Sequence, residues 1–292
     1  MKTFKFLRIL FLAIISLSII SCTNNNEDDD LGSKSPMPDK DYKKLVQMNI
    51  KYDDNEEERY YFNYDKNGTL TSLDYECYED GFFDEGGTYY IKWDNNIISY
   101  SEDGFEWEDL YQISNDKAVK ALWEGATTEF EYDSNGRMAI EYSGSNRNKT
   151  IYTWKEGKLI KQTYSQTNSY EYGSYSSSES TEYLYSSHSS QRCNGFFPNM
   201  AEDFGELYEF CAVPWIFGME QQELPQKIEK ERIYSDTYGD YTSTSKSRTE
   251  KLFTYTYYGD GYLKTCTEKR TDIFNEYSEE SPETTIYEYF WQ

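Results

Sequence analysis

The side chains that could do chemistry are few and scattered. His188 is the only histidine, set among Ser186, Ser187, Ser189 and Ser190. A Ser–His pair there would be a nucleophile and its base, but no Gly-x-Ser-x-Gly elbow accompanies it, and an exposed turn histidine is the plainer reading. A single histidine also excludes multi-histidine zinc sites. Asp53-Asp54-Asn55-Glu56-Glu57-Glu58 and the stretch from Glu76 to Asp84 offer oxygen ligands. Neither has the spacing of a calcium-binding loop, so both read as solvated acidic turns. Among 53 acidic residues some close carboxylate pair is certain, so their abundance alone does not argue for glycoside hydrolysis. No phosphate-cradling glycine loop occurs. The residues imply no metal and no cofactor.

Four cysteines lie beyond the N-terminal region: Cys77, Cys193, Cys211 and Cys266. They lack the CxxC spacing of zinc or thioredoxin-type sites. Cys193 and Cys211 share one segment and are the candidate disulfide. Four free thiols acting as small apolar residues are the alternative.

What must position any site is a repeated hairpin. Its clearest copy is Phe130-Glu131-Tyr132-Asp133-Ser134-Asn135-Gly136-Arg137-Met138. Aromatic and acidic residues alternate with the period of a half-buried strand, then Asp-Ser-Asn-Gly supplies turn chemistry. Phe62-Asn63-Tyr64-Asp65-Lys66-Asn67-Gly68-Thr69-Leu70 repeats it in register. Other copies centre on Asn95, on Asn115-Asp116, on Glu156-Gly157 and on Tyr255 to Leu263. Gly68, Gly136, Gly157 and Gly261 are the expected turn glycines, and Gly68 and Gly136 are expected at positive φ. After Met138, Ile140 and Tyr142 should continue the buried face. Two longer strands are expected around a Ser-rich tip at Gly173 to Ser178.

Counting alternating runs predicts an all-β chain: an antiparallel up-and-down meander of about 14–16 strands. So many strands in a flat sheet would leave two exposed edges, so closure into a β-barrel is expected. The second face carries Lys92, Glu129, Glu131, Arg137, Glu141, Lys155, Lys158 and Lys161, and mean hydropathy is −0.90. A Lys or Arg facing lipid at the bilayer midplane costs roughly 2–4 kcal/mol. The barrel is therefore expected to be water-soluble, with aromatic residues inside and charge outside.

Residues 192–225 break the pattern. They hold Cys193, Cys211, Pro198, Pro214 and Pro225, and an apolar cluster ending in Trp215-Ile216-Phe217. We expect a plug or cap across one end, with a short helix between Asn199 and Cys211. If a ligand site exists, Trp215 would form one wall beside Tyr132, Trp154 and Tyr183. Plain core filling is the favoured alternative.

The N-terminus reads as an export signal. Lys2, Lys5 and Arg8 precede an apolar run from Ile9 to Ile20, too short to span a bilayer comfortably. Ile19-Ile20-Ser21-Cys22 resembles a bacterial lipobox, which implies cleavage after residue 21 and lipid on Cys22. Glu27, Asp28, Asp29 and Asp30 follow. They resemble the acidic signals that send Bacteroidota lipoproteins to the cell exterior, and as a charge run they also suit a solvated tether over residues 22–40. A single barrel domain then covers 41–292. Without the three basic leader residues, 26 Lys+Arg oppose 53 Asp+Glu, and the net charge moves from −24 to −27. Such a surface repels phosphate backbones and anionic headgroups, so no nucleic-acid partner is expected and membrane contact should come through the lipid.

The Phe-x-Tyr-Asp-x-x-Gly-x-Leu hairpins resemble the tyrosine-aspartate (YD/Rhs-type) repeats of toxin shells. The lipobox, the hairpin ladder and the run from Ile216-Phe217-Gly218-Met219 to Leu224-Pro225-Gln226-Lys227-Ile228 are together similar to Bacteroidota lipoproteins of domain-of-unknown-function family 4595. That resemblance covers Lys43 to Trp291. It implies a porin-like fold and an outer-membrane lipid anchor, but no activity and no catalytic residues. The expected function is that of a surface-anchored lipoprotein without an assigned activity, either a non-enzymatic β-scaffold or a module that binds a ligand or glycan, with a glycan or another surface protein as the candidate partner. The alternatives are a cell-surface glycan-degrading enzyme using acidic residues or tyrosine, and an adhesin or toxin-shell-like protein.

Overall fold

The computed structural model describes residues 43–292, apart from 95, 123–127, 145–147, 171, 187–213, 220–222, 275–277 and 280. The strands in chain order are β1 Leu45–Lys51, β2 Glu56–Tyr64, β3 Leu70–Glu79, β4 Phe82–Asp94, β5 Ile97–Ser101, β6 Glu108–Ser114, β7 Lys117–Ala121 and β8 Glu129–Tyr132. They continue with β9 Met138–Ser143, β10 Asn148–Lys155, β11 Lys158–Tyr170, β12 Gly173–Leu184, β13 Lys227–Tyr238, β14 Tyr241–Tyr257, β15 Leu263–Phe274, β16 Ser278–Glu279 and β17 Glu283–Trp291. Neighbours in sequence pair antiparallel, β15 pairs with β17, and β17 pairs with β1. The sheet thus closes into a 16-strand barrel, with the two-residue β16 lying against β15. Closure removes the edges that an open meander would expose.

The repeated phrase does more than turn the chain. Gly68, Gly136, Gly157 and Gly261 all have positive φ, at 87°, 74°, 81° and 89°. At the Gly136 turn the Asp133 carboxylate accepts the backbone N–H of Asn135 and Arg137 at 2.8 and 2.9 Å. Burial opposes the Asp133 charge, but those N–H donors outweigh it and hold the carboxyl below its ordinary value.

Beyond the turn the register slips by one residue. Tyr132 pairs with Met138, whereas Glu131 pairs with Ile140. The same slip follows Leu70, Ala118, Leu159 and Leu263. Each is a β-bulge, which bends and twists the strand. Repeated round one end, it turns the corners of the barrel. It also corrects the expected alternation: Met138 faces inward, Glu141 takes the next inward place, and Ile140 and Tyr142 face out.

The two ends differ. One holds the five bulged turns, the paired chain ends (Lys44 N–H to Gln292 carbonyl, 2.9 Å) and the long connection between β12 and β13. Here the expected plug is found in part. Pro214–Phe217 forms a 3-10 turn, and Ile216, Phe217 and Met219 are buried. The Phe217 ring lies 5.7 Å from Tyr111 and 5.9 Å from Phe130. Gly218 has φ 62°, and a Cβ there would stand 2.2 Å from the Gly136 carbonyl oxygen, so only glycine lets the plug touch that hairpin. The helix expected between Asn199 and Cys211 lies outside the described residues.

The wall is uneven in height. β8 has 4 residues and β14 has 17, spanning about 13 and 55 Å respectively. The Ser-rich run after Gly173 is strand, not the expected tip. Its serines keep alternating against β11 and β13, and the β11–β12 pairing runs up to Tyr170–Gly173. The tall hairpins of β11–β14 carry the barrel well past its apolar band and form a distal rim.

On the outside, mid-height ion pairs such as Lys161–Glu182 at 2.9 Å, Arg248–Glu229 at 2.9 Å and Lys246–Glu231 at 2.6 Å cover the tall wall. Turned toward hydrocarbon at the bilayer midplane, each such cation would cost roughly 2–4 kcal/mol.

Candidate functional site

The four aromatic residues expected to line a ligand wall are engaged in contacts within the fold. A bulge leaves the preceding carbonyl outside the ladder, and an aromatic donor of a neighbouring strand or turn takes it. The Trp154 indole N–H donates to the Met138 carbonyl at 2.7 Å, and the Tyr132 hydroxyl to the Ala118 carbonyl at 2.6 Å. Trp93 caps Leu70, Tyr185 caps Leu159 and Trp291 caps Leu263 in the same way, at 2.6, 2.7 and 2.6 Å. Tyr183 is buried and donates its hydroxyl to the Gln162 side chain at 2.9 Å. Trp215 is half-buried beside the plug, its carbonyl accepting the Lys117 ammonium.

Cys22, Glu27, Asp28, Asp29, Asp30, His188, Cys193 and Cys211 fall outside the described residues. Of the described cysteines, Cys77 and Cys266 form no disulfide. Burial, aided by the neighbouring Glu268, pushes the Cys266 thiol well up, which keeps it protonated and unreactive. Among the described residues no cluster of three or more His, Cys, Asp or Glu side chains is placed to hold a metal ion.

Sequence reasoning put charge outside only. The structure also places it inside, above the apolar band. On β12 to β15, Glu179, Lys230, Arg232, Lys251, Glu268, Arg270 and Asp272 occupy inward register positions. Glu179 meets Lys230 at 2.8 Å and Arg232 at 2.5 Å; Arg270 meets Asp272 at 2.8 Å. Burial alone would lower the Arg232 guanidinium, but the Glu179 carboxylate more than compensates and keeps it firmly charged.

The exposed chemistry lies at the distal rim. The six most exposed large apolar side chains among the described residues are Phe105, Phe82, Tyr241, Tyr238, Tyr172 and Phe83, at 61% to 86%. All six belong to turns or strand ends of that rim. The densest group is a tyrosine shelf on the tips of β11–β12 and β13–β14. Gly173 pairs with both Tyr170 and Tyr238, and Tyr238 pairs with Tyr241. A Cβ at Gly173 would meet the Tyr170 ring at 2.9 Å, so that ring lies across the glycine. The Tyr172 and Tyr238 ring centroids are 6.5 Å apart, and those of Tyr175 and Tyr234, one step lower, 6.3 Å. The Tyr170 hydroxyl donates to Asp236 at 2.6 Å, which raises that phenol above its ordinary value. The shelf thus offers aromatic faces with polar edges, and Arg232 sits below it, 5.7 Å from the Tyr234 ring. Such faces suit the C–H faces of sugar rings, with hydroxyl and carboxylate groups alongside for the sugar hydroxyls. Tyrosine at every second position signalled a strand face. The sequence carried no sign of how far that face stands above the core.

No family model and no curated protein matches the chain. Solved structures do. A porin-like protein from Bacteroides uniformis ATCC 8492 is similar at a TM-score of 0.53 and 12% identity, over 85% of this chain and 98% of that one. A porin-like protein from Bacteroides vulgatus ATCC 8482 covers the same shares at 11% identity and a TM-score of 0.39. The closed antiparallel barrel described above, with its plugged end, is therefore a porin-like fold.

Proposed function

We propose that this chain is a lipid-anchored, non-enzymatic barrel of the family 4595 kind, held on the outer membrane through Cys22, that binds a glycan at its distal rim. The observation that carries the reading is the tyrosine shelf, whose outermost rings stay in water while the bulge-capping aromatics of the plugged end are packed and hydrogen-bonded. Exposed aromatic clusters of this kind mark interaction sites. The chain enters the barrel at the plugged end, beside Gln292. A lipid on Cys22, joined through the tether, would hold that end toward the membrane and lift the shelf away from it. The acidic net charge of −24 disfavours anionic partners and suits a neutral glycan.

Two measurements test the reading. Cys22→Ala should abolish labelling by palmitate and release the protein from membranes; label retained by the variant would sink the anchor. A panel of neutral polysaccharides incubated with the protein should yield no new reducing ends. Released oligosaccharide would replace the binding role with a hydrolytic one.

A further inference from the structure

The outer wall of the tall side carries a cavity of about 340 Å³ between β10 and β13. Side-chain size creates it. Across the middle two strands the outward positions are small: Thr163 pairs with Ser180, and Ser165 with Ser178. On the flanking strands they are large: Ile151 and Lys149 on one side, Glu231 and Ile233 on the other. The result is a trough with a hydroxyl floor and walls that each combine one isoleucine with one charged side chain. The volume lies within the range of ligand sites, roughly 300–1,000 Å³.

The floor is also idle. Elsewhere on this face, facing hydroxyls bond one another: Ser235 with Thr244 at 3.0 Å, Thr237 with Thr242 at 3.1 Å, Thr256 with Thr265 at 2.6 Å. The side-chain hydroxyls of Thr163, Ser165, Ser178 and Ser180 have no hydrogen-bond partner among the described residues, although they face each other in register. Each can both donate and accept. On the walls, Glu231 is engaged by Lys246 at 2.6 Å, and Lys149 lies 5.7 Å from the Tyr142 ring.

We propose that this trough is a second binding site, for a neutral polyhydroxylated chain: a glycan whose hydroxyls meet the floor and whose C–H faces rest on Ile151 and Ile233. A polypeptide fits less well. The closed barrel offers no free strand edge for main-chain pairing. Of the trough's lining residues only Tyr164 is aromatic, at an inward register position of β11, and none is arginine, so the outer walls offer no anchor of the kind that carries protein interfaces. The site goes beyond the shelf reading, because it lies on the opposite face of the wall and shares no residue with it.

Calorimetric titration of the full-length protein with maltohexaose, cellohexaose, xylohexaose and mannohexaose tests it. Three variants are compared: Ser165→Leu/Ser178→Leu, which fills the floor; Ser178→Ala/Ser180→Ala, which removes two hydroxyls; and Tyr238→Ala/Tyr241→Ala, which strips the shelf. All positions are on the surface, and unchanged far-UV circular dichroism confirms folding. At least one hexasaccharide should bind the filled variant ten or more times more weakly, bind the alanine variant less tightly than the native protein, and still bind the shelf variant. Native-like binding of every hexasaccharide by the filled variant overturns the trough. If the shelf variant alone loses binding, the trough is overturned and the shelf stands; a hexasaccharide lost by the filled variant and kept by the shelf variant is held in the trough, and only if the shelf variant keeps native-like binding of all four does the shelf fail.

Discussion

The Trp154 indole N–H donates to the Met138 carbonyl at 2.7 Å, across the hairpin junction from β10 to the bulge of β9. This bond explains why an aromatic donor recurs beside each bulged turn. The bulge frees a carbonyl inside the wall, and a buried carbonyl without a partner is costly. Trp154→Phe keeps most of the ring and removes the donor. It should lower stability by about 1–3 kcal/mol in urea unfolding, with Trp93→Phe and Trp291→Phe in the same range. Midpoints unchanged in all three variants would show that water replaces the indole without loss.

Lys251 and Glu268 form the most enclosed ion pair among the described residues, 3.0 Å apart with side chains only 5% and 3% exposed. Taking two charges out of water is repaid only while both are present. Glu268→Ala should destabilise by roughly 3–5 kcal/mol, and Lys251→Met/Glu268→Leu by less than the sum of its single changes. A double-mutant cycle with no coupling would contradict this.

The plug is held by Phe217 rather than by Trp215, which the bare sequence made the more obvious anchor. Phe217→Ala should cost about 3–5 kcal/mol as a large core truncation, and the half-buried Trp215 less. Gly218→Ala combines a left-handed backbone, worth roughly 1–2 kcal/mol, with the clash against Gly136. A thermal midpoint untouched by Gly218→Ala would mean the plug does not rest on that hairpin.

Burial holds the phenols of Tyr64 and Tyr132 well above their ordinary value of 10.0, with Glu141 adding to the rise at Tyr132. Only the neutral form suits the fold. Their contribution to stability is complete below that ordinary value and is lost as pH rises beyond it, because the unfolded chain ionises where the folded one does not. Absorbance at 295 nm should show their ionisation coinciding with loss of the circular dichroism signal. Full ionisation with the signal intact would contradict the burial.

Much of the barrel was legible in the sequence, because Asp-x-x-Gly turns at Gly68 and Gly136 leave the chain one local choice. Strand number followed from counting alternating runs, and closure from the two edges a flat sheet would leave. The bulges were not foreseen, yet a trace existed: inward residues stand three apart, not two, at Leu70/Leu73 and Ala118/Ala121. That slip sends Ile140 and Tyr142 outward. Strand height was invisible. Period-two tyrosines look alike whether they pack in a core, as Tyr183 does, or rise above it, as Tyr238 does. The inward cations on β13 and β14 escaped for the same reason, and the serines after Gly173 looked like a turn because serine favours both.

Binding at the shelf, without turnover, is tested most directly by a neutral-glycan microarray probed with native protein and with Tyr238→Ala/Tyr241→Ala. Both substituted side chains are exposed, so stability should change by less than about 0.5 kcal/mol. The native protein should retain at least one glycan intact, and the double variant should bind that glycan at least tenfold more weakly. Equal binding by the two proteins, or no glycan held by either, would contradict the account.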